Sequence, residues 1–291
     1  MKSLHAWLLV LAMASWPAVS AEKAALPGYV IPRSEVRTLP VNAAGRHYAL
    51  FIGLPASYAS EPGKRYPVVY VTDGYWDFQK ITAIHGPLVY DKYAPEFITV
   101  GMGYANENPD FGELRRWELS PVPFGASDAS GHARDFLETI EKVFIPLVDK
   151  EYRTDPKMRV LGGASLGGLF TLYSMFTKPD LFNGYVAVTP AVLVGDDWLL
   201  KYEQEFAKSG RSLNARLYMT VGGNEATSFV APILRMNQRF APGRYPRLAY
   251  EFRIIEGERH AGNQLESYNR GLRFVFAPLA PEQGPSIDRG R

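Results

Sequence analysis

The chain has 291 residues, of which 46% are hydrophobic, so it can bury a sizeable core and is expected to fold as one domain. Its net charge is +2 and the basic residues are scattered, which argues against nucleic acid as a partner. The sequence contains no cysteine, which excludes disulfides and a lipoprotein anchor.

The start of the chain has the pattern of a secretory signal peptide. An apolar run from Ala6 to Trp16 follows a positively charged beginning, and small residues precede Glu22, where cleavage is expected. The run is shorter than the roughly 20 residues that a membrane span needs, so no stable membrane anchor is expected. We therefore expect residues 1–21 to be removed and the mature protein to be periplasmic or secreted.

Short apolar runs rich in β-branched and aromatic residues predict strands, and apolar residues at helical spacing predict helices. The predicted strands are His47–Leu54, Tyr66–Thr72, Phe97–Met102, Met158–Leu161, Tyr185–Val188, Ala215–Val221 and Leu248–Ile255. The predicted helices are His132–Tyr152, Leu166–Phe176 and Asn263–Phe276. Their alternation predicts an α/β fold in which helices cover both faces of a mostly parallel sheet. This domain should span residues 22–279, and a polar, flexible tail should follow over residues 280–291.

One long connection runs from Tyr104 to Gly131 without a predicted element. It carries the run Arg115-Arg116-Trp117, which is a candidate for contact with substrate. Loops of this length are commonly functional or disordered. The sequence leaves open whether this loop closes over the site as a lid.

The candidate nucleophile is Ser165, in the Gly-Ala-Ser-Leu-Gly run over residues 163–167. It lies between a predicted strand and a predicted helix, which is the arrangement of a nucleophile elbow. Glycine is needed on both sides of the serine because side chains there would collide with neighbouring backbone. A phosphate-binding loop is excluded, since Gly168 and Leu169 stand where Lys and Ser or Thr are required. On the motif alone, a Gly-rich turn without chemistry stays possible.

The candidate base is His260, because it is the one histidine that follows Ser165 in the chain and the expected order is Ser, acid, His. The candidate acid is Glu225, which follows the predicted strand Ala215–Val221. Asp196 and Asp197 are the main competitors for this role. A lower-ranked pair, Glu256 and Glu258, lies close to His260 in the sequence.

An oxyanion site needs backbone N–H groups from two places. Leu166, directly after the nucleophile, should supply one. The turn after Asp73 should supply the other, from Tyr75 or, as the second choice, Gly74. The sequence has neither a dinucleotide fingerprint nor a His-Glu-x-x-His motif, so no cofactor or metal is expected.

Taken together, these motifs resemble the esterase D or putative esterase group of α/β-hydrolases, which includes enterochelin-type siderophore esterases. The likeness lies in the segment Tyr66–Gly74, in the run Arg115–Pro121, in the elbow, and in the loops of Glu225 and His260. The resemblance implies a metal-free hydrolase with Ser165, Glu225 and His260 as its triad. It also implies that Arg115 or Arg116 contacts an anionic ligand.

The function expected from these residues is hydrolysis of a small-molecule or oligomeric carboxylic ester through an acyl-enzyme. A siderophore trilactone, or a related aryl or polyketide ester, is the leading substrate class. The alternative is a feruloyl or acetyl-xylan type carbohydrate esterase, since fold and family do not settle substrate. A hypothesis of a different class is a non-catalytic binding protein on the same fold. The oligomeric state is not predicted.

Overall fold

The computed structural model describes residues 30–106, 108–125 and 130–281 of the chain. The predicted signal peptide over residues 1–21 lies outside the described residues, and so do residues 282–291 of the predicted tail. The unit that carries the fold begins at Ile31.

Within these residues, eight strands form one sheet in the order β1-β2-β4-β3-β5-β6-β7-β8. The strands are β1 (Ser34–Thr38), β2 (Tyr48–Gly53), β3 (Tyr66–Val71), β4 (Ile98–Tyr104), β5 (Thr154–Ala164), β6 (Gly184–Val188), β7 (Arg216–Gly222) and β8 (Ala249–Ile255). β1 and β2 are antiparallel to their neighbours, whereas β3 to β8 run parallel. The predicted α/β fold with a mostly parallel sheet is confirmed.

Eight α-helices accompany the sheet in the described part of the chain. They are α1 (Gly74–Tyr90), α2 (Phe111–Leu119), α3 (Ala133–Thr139), α4 (Ile145–Glu151), α5 (Leu166–Thr177), α6 (Val194–Lys208), α7 (Thr227–Arg239) and α8 (Gln264–Phe276). A π-helical turn over Ile140–Phe144 joins α3 to α4, so the helix predicted at His132–Tyr152 is one continuous helical stretch.

Side chains that alternate along the central strands β3, β4, β6 and β7 bury both faces of the sheet there. Val69 and Val71 of β3 pack with apolar residues of α1 and α8, whereas Val68 and Tyr70 pack with residues of α3 to α7 on the other face. This period of two is the ordinary geometry of a strand. It explains why these central strands read as continuous apolar runs, because neither of their faces meets water, whereas the edge strand β8 is partly exposed.

The connection from Tyr104 to Gly131 was expected to lack an element, and this was wrong because it contains α2. The side chain of Asp110 caps this helix by accepting a hydrogen bond from the Glu113 N–H at 2.9 Å. Asp at the N-cap with Glu three residues later is a helix-start signal, so the sequence did carry a clue. β1 was also missed, because its exposed edge position needs no apolar pattern.

α2 is fixed to the sheet by one buried carboxyl group. Glu118 is fully buried and accepts hydrogen bonds from the hydroxyls of Tyr48 on β2, at 2.6 Å, and Tyr104 on β4, at 2.7 Å. Burial raises the pKa of Glu118 to about 7, because the charged form loses water and the two hydroxyls offset only part of that loss.

This shift predicts that Glu118 makes stability depend on pH. The folded-state pKa of about 7 exceeds the ordinary value of 4.5, so the folded protein binds more protons between these values. The stabilisation of the folded state that comes from this pKa shift is fully present below pH 4.5. It is lost as the pH rises through about 7. From pH 5 to pH 8, the free energy of unfolding of the wild type, relative to Glu118→Gln, should fall by on the order of 2 kcal/mol. Urea unfolding of both proteins at the two pH values measures this, and a constant difference would contradict it.

Candidate active site

Ser165 lies at the turn between β5 and α5, at the carboxyl edge of the parallel strands. Its backbone has φ 59° and ψ −116°, a conformation that a residue with a side chain rarely adopts. The turn is held by two backbone hydrogen bonds, from the Ser165 N–H to the Val188 carbonyl and from the Ala191 N–H to the Ser165 carbonyl. This geometry presents a partly exposed hydroxyl at the sheet edge, as a nucleophile elbow requires.

The glycines on either side of Ser165 are there because the turn is crowded. A Cβ on Gly163 would collide with the backbone carbonyl of Gly167, and a Cβ on Gly167 would collide with the hydroxyl of Thr72. The second contact also shows that the start of α5 lies directly against the end of β3. The sequence argument for glycine at these positions therefore has a specific steric cause.

Replacing Gly163 by alanine should destabilise the protein. The new methyl group would meet rigid backbone, and overpacking of this kind costs about 1–3 kcal/mol or more. A matched control is Gly86→Ala in α1, where no atom lies within 4 Å of the added Cβ and alanine favours a helix. Thermal melting should show a lower Tm for Gly163→Ala and an unchanged or higher Tm for the control. Equal Tm values for the two variants would refute the steric explanation.

His260 and Glu225 form a hydrogen-bonded pair at the same edge of the sheet. The Nδ1 atom of His260, in the loop after β8, lies 2.8 Å from Oε2 of Glu225, in the loop after β7. The Glu225 side chain is only 3% exposed, whereas that of His260 is 41% exposed. When Nδ1–H donates to the carboxylate, Nε2 is left as the basic nitrogen.

The surroundings of Glu225 favour its charged form. Burial acts to raise its pKa, but hydrogen bonds from His260, from the Thr189 hydroxyl and from the Gly222 N–H outweigh burial. The pKa of Glu225 therefore lies below its ordinary value. An ionised carboxylate in this position orients the imidazole and stabilises imidazolium when it forms.

The competing acids are placed elsewhere. Asp197 forms an ion pair with Arg235 of α7, and Asp196 makes no hydrogen bond to His260 in the described chain. Glu256 is exposed, and the side chain of Glu258 has no hydrogen bond to His260 among the described residues. Glu225 is thus the carboxylate that the structure brings to His260.

Backbone hydrogen bonds beyond the strand ends hold the site loops together. The Thr189 N–H donates to the Thr220 carbonyl at 3.0 Å, and the Asn224 N–H donates to the Glu258 carbonyl at 2.8 Å. These bonds extend the pairing of β6, β7 and β8 into the loops that follow them. The loops of Thr189, Glu225 and His260 are therefore fixed by the sheet.

The predicted oxyanion groups lie at the starts of two neighbouring helices. Leu166 is the first residue of α5, while Gly74 and Tyr75 begin α1. The turn after Asp73, from which an oxyanion N–H was expected, begins a helix of 17 residues that was not predicted. N–H groups in the first turn of a helix have no acceptor within the helix, and the helix dipole favours negative charge there. The arrangement suits a developing oxyanion.

The predicted substrate residues on α2 differ in what they contact. Arg115 binds both carboxylate oxygens of Asp73, at 2.8 and 2.9 Å. Arg116 forms no ion pair with any described residue. Trp117 stacks on the ring of His132, with 4.0 Å between centroids, and the Arg46 guanidinium lies 3.9 Å from the centroid of the Trp117 ring. No ligand contact follows from these positions, so the role of this run stays a prediction.

Sequence reasoning missed two side chains that contact the pair. Thr189 donates its hydroxyl to Glu225, and its place directly after β6 at the site edge was an available clue. Phe229 of α7 packs edge-on against His260, with 4.8 Å between the ring centroids. Nothing local in the sequence marks that contact.

It also missed a group of three aromatic residues, here called the aromatic patch: the exposed Tyr75 and Trp76 and the half-buried Phe111. The side chains of Tyr75 and Trp76 are 58% and 41% exposed. The ring centroid of Phe111 lies 4.7 Å from that of Tyr75 and 5.1 Å from that of Trp76. The aromatic patch therefore adjoins the predicted oxyanion turn.

Metal-binding clusters and membrane-crossing helices are both absent from the described residues. No group of three or more His, Cys, Asp or Glu residues is arranged to hold a metal ion in this part of the chain. Over the same residues, no helix has the length and apolar character needed to cross a membrane.

Comparisons with known proteins identify relatives of this chain. A family model described as putative esterase matches residues 41–229. Ferri-bacillibactin esterase BesA of Bacillus subtilis (strain 168) is 28% identical over 284 residues, which cover 90% of this chain and 94% of that protein. Siderophore enterobactin esterase of Emericella nidulans is 27% identical over 187 residues, or 57% of this chain and 60% of that protein. The crystal structure of the BES protein from Bacillus cereus superposes with a TM-score of 0.78 at 26% identity, covering 87% of this chain and 98% of that one.

Proposed function

The chain belongs to the putative esterase family and is a carboxylic ester hydrolase, and on that premise we propose that it works through a triad of Ser165, His260 and Glu225. The observation that carries this proposal is the short hydrogen bond between His260 and the buried Glu225, at the sheet edge where the strained turn holds Ser165. A protein of this fold without catalytic activity would not need a hydrogen-bonded His-Glu pair beside a strained serine turn. The same observation argues against the non-catalytic alternative.

The reaction proceeds in two halves. Nε2 of His260 takes the hydroxyl proton as Oγ of Ser165 attacks the ester carbonyl, and the N–H groups of Leu166 and Tyr75 bind the oxyanion. The C–O bond to the leaving group breaks, and imidazolium returns the proton to the departing alkoxide. Water then attacks the acyl-enzyme with His260 again as base, which releases the acid and restores Ser165.

We also propose a siderophore ester, such as an aryl-substituted trilactone, as the substrate. BesA is named a ferri-bacillibactin esterase, and the Emericella nidulans relative is named a siderophore enterobactin esterase. The aromatic patch supports the same class, because exposed rings beside the oxyanion turn can stack on an aryl acyl group.

A competition experiment tests the substrate class. The purified enzyme is mixed with a catecholate trilactone, both iron-free and ferric, and with a feruloylated oligosaccharide, and product masses are measured over time. We expect hydrolysis of the trilactone to linear and monomeric acids at a far higher kcat/KM than release of ferulate. Preferential release of ferulate would transfer the proposal to the carbohydrate esterases. Hydrolysis that persists in Ser165→Ala would overturn the triad itself.

We further propose that the protein acts in the periplasm or outside the cell after loss of residues 1–21. The apolar run from Ala6 to Trp16 supports export. Mass spectrometry of the expressed full-length protein from a periplasmic extract should find an N-terminus at Glu22. A cytoplasmic protein that keeps Met1 would contradict this proposal.

A further inference from the structure

The residue before the oxyanion turn is Asp73, and its carboxylate does not do what a carboxylate at a helix start usually does. Asp73 is the N-cap of α1, yet its side chain accepts no hydrogen bond from that helix. Ordinarily, an Asp at this position caps the helix by binding the N–H of the second or third helical residue. In α1 those residues are Tyr75 and Trp76.

The Asp73 carboxylate is bound by Arg115 instead. Its Nε donates to Oδ1 of Asp73 at 2.8 Å and its Nη2 donates to Oδ2 at 2.9 Å, a two-point pairing that uses both carboxylate oxygens. The pair is largely removed from water, since the Asp73 side chain is 7% exposed and that of Arg115 is 21% exposed. Asp73 itself is held in the left-handed region, with φ 52° and ψ 42°.

The position of Asp73 makes this pairing relevant to catalysis. Oδ2 of Asp73 lies 3.3 Å from the place that a Cβ on Gly167 would occupy, so the carboxylate borders the start of α5 as well as that of α1. An unpaired negative charge there would oppose the negative charge that develops on the substrate oxygen. It would also be free to turn and accept the Tyr75 N–H.

We propose that Arg115 is a positioning residue for the oxyanion site, which keeps the Asp73 carboxylate off the Tyr75 N–H and balances its charge. The inference rests on the proposed function, because it takes the Tyr75 N–H as an oxyanion donor. It assigns Arg115 a task that differs from direct contact with an anionic substrate. α2 thereby becomes part of the machinery that shapes the site.

The test is a double-mutant cycle between the two residues. With the neutral ester p-nitrophenyl acetate, Arg115→Gln should lower kcat about 10- to 100-fold with little change in KM, because losing one oxyanion donor costs about 10²- to 10³-fold. In an Asp73→Gly background the carboxylate is gone and glycine tolerates the left-handed backbone. There, Arg115→Gln should change kcat less than threefold.

Two further comparisons separate the possible roles of Arg115. The fold-loss in kcat should be the same for p-nitrophenyl acetate and for the anionic ester p-nitrophenyl succinate. Arg115→Lys, which keeps the charge without the planar fork, should give an intermediate kcat. The control Arg270→Gln removes an exposed ion pair with Glu266 on α8 and should leave kcat unchanged.

Several outcomes would overturn the inference. These are an equal loss in both Asp73 backgrounds, a loss seen only as a raised KM for the anionic ester, and full kcat in Arg115→Lys or Arg115→Gln. Thermal melting identifies any variant that does not fold. If Arg115→Gln does not fold, the kcat of Arg115→Lys decides the test. Failure of the proposed function is distinguishable, since it appears as retained activity in Ser165→Ala whatever Arg115 does.

Discussion

Ser165→Ala should lower kcat for ester hydrolysis by about 10⁵-fold or more, while the protein keeps its fold. Losing the nucleophile of a catalytic triad has an effect of this size because no other group in the site can form the acyl-enzyme. The remaining N–H groups and the binding surface should still give a small rate above that in water. The kcat of the wild type and of Ser165→Ala is measured from the release of p-nitrophenol from p-nitrophenyl butyrate.

A matched control for this substitution lies in the helix that follows. Ser174 of α5 is fully buried, and its hydroxyl has no hydrogen-bond partner among the described residues. Ser174→Ala should therefore keep kcat near the wild-type value and should not lower Tm. Activity that survives in Ser165→Ala, with Ser174→Ala also active, would require a different nucleophile.

Glu225→Gln should lower kcat about 10³- to 10⁴-fold, because it changes which ring nitrogen of His260 carries the proton. Oε1 of Glu225 accepts from the Thr189 hydroxyl and the Gly222 N–H, so the amide oxygen of glutamine will take that place. The amide NH₂ group then faces Nδ1 of His260 and donates to it. The ring proton moves to Nε2, which can no longer take the proton of Ser165. The corresponding change in serine proteases costs about 10⁴-fold.

The measurement for Glu225→Gln is kcat against KM, together with Tm. We expect KM and Tm to change little, because the glutamine keeps the shape and two of the hydrogen bonds. The matched control is Asp197→Asn, which loses charge in the ion pair with Arg235 and should remain active. An active Glu225→Gln beside an inactive Asp197→Asn would transfer the acid role to Asp197.

Most predicted strands of the parallel sheet were close to those observed, because strands buried on both faces are continuously apolar. The strand predicted at Met158–Leu161 was too short, because β5 spans Thr154–Ala164 and begins with a polar, partly exposed segment. The elements missed are of two kinds: β1 and α2, whose residues are mostly exposed or only partly buried, and α1, α6 and α7, which bury residues in the core but were not recognised as helices. β1 is an exposed edge strand, and α2 has a capped start but a largely polar surface. α1 begins at the turn after Asp73, and its glycine and proline content obscured the helical pattern. A pattern of apolar residues does not mark an element whose residues face water, as in β1, and glycine and proline weaken the pattern of a helix that does contribute to the core, as in α1.

By itself, the sequence determined the fold class and the candidates Ser165 and His260, since strand, turn and helix are consecutive along the chain. Only the tertiary structure decided which carboxylate meets His260 and which arginine meets Asp73. Glu225 and Asp197 both follow strands, and Arg115 and Arg116 are neighbours in one helix. Whether such a charge serves the site depends on the direction of its side chain and on its partner. The direction of a side chain and its partner are set by packing between segments that are far apart in the sequence. Local sequence patterns carry no information about that packing.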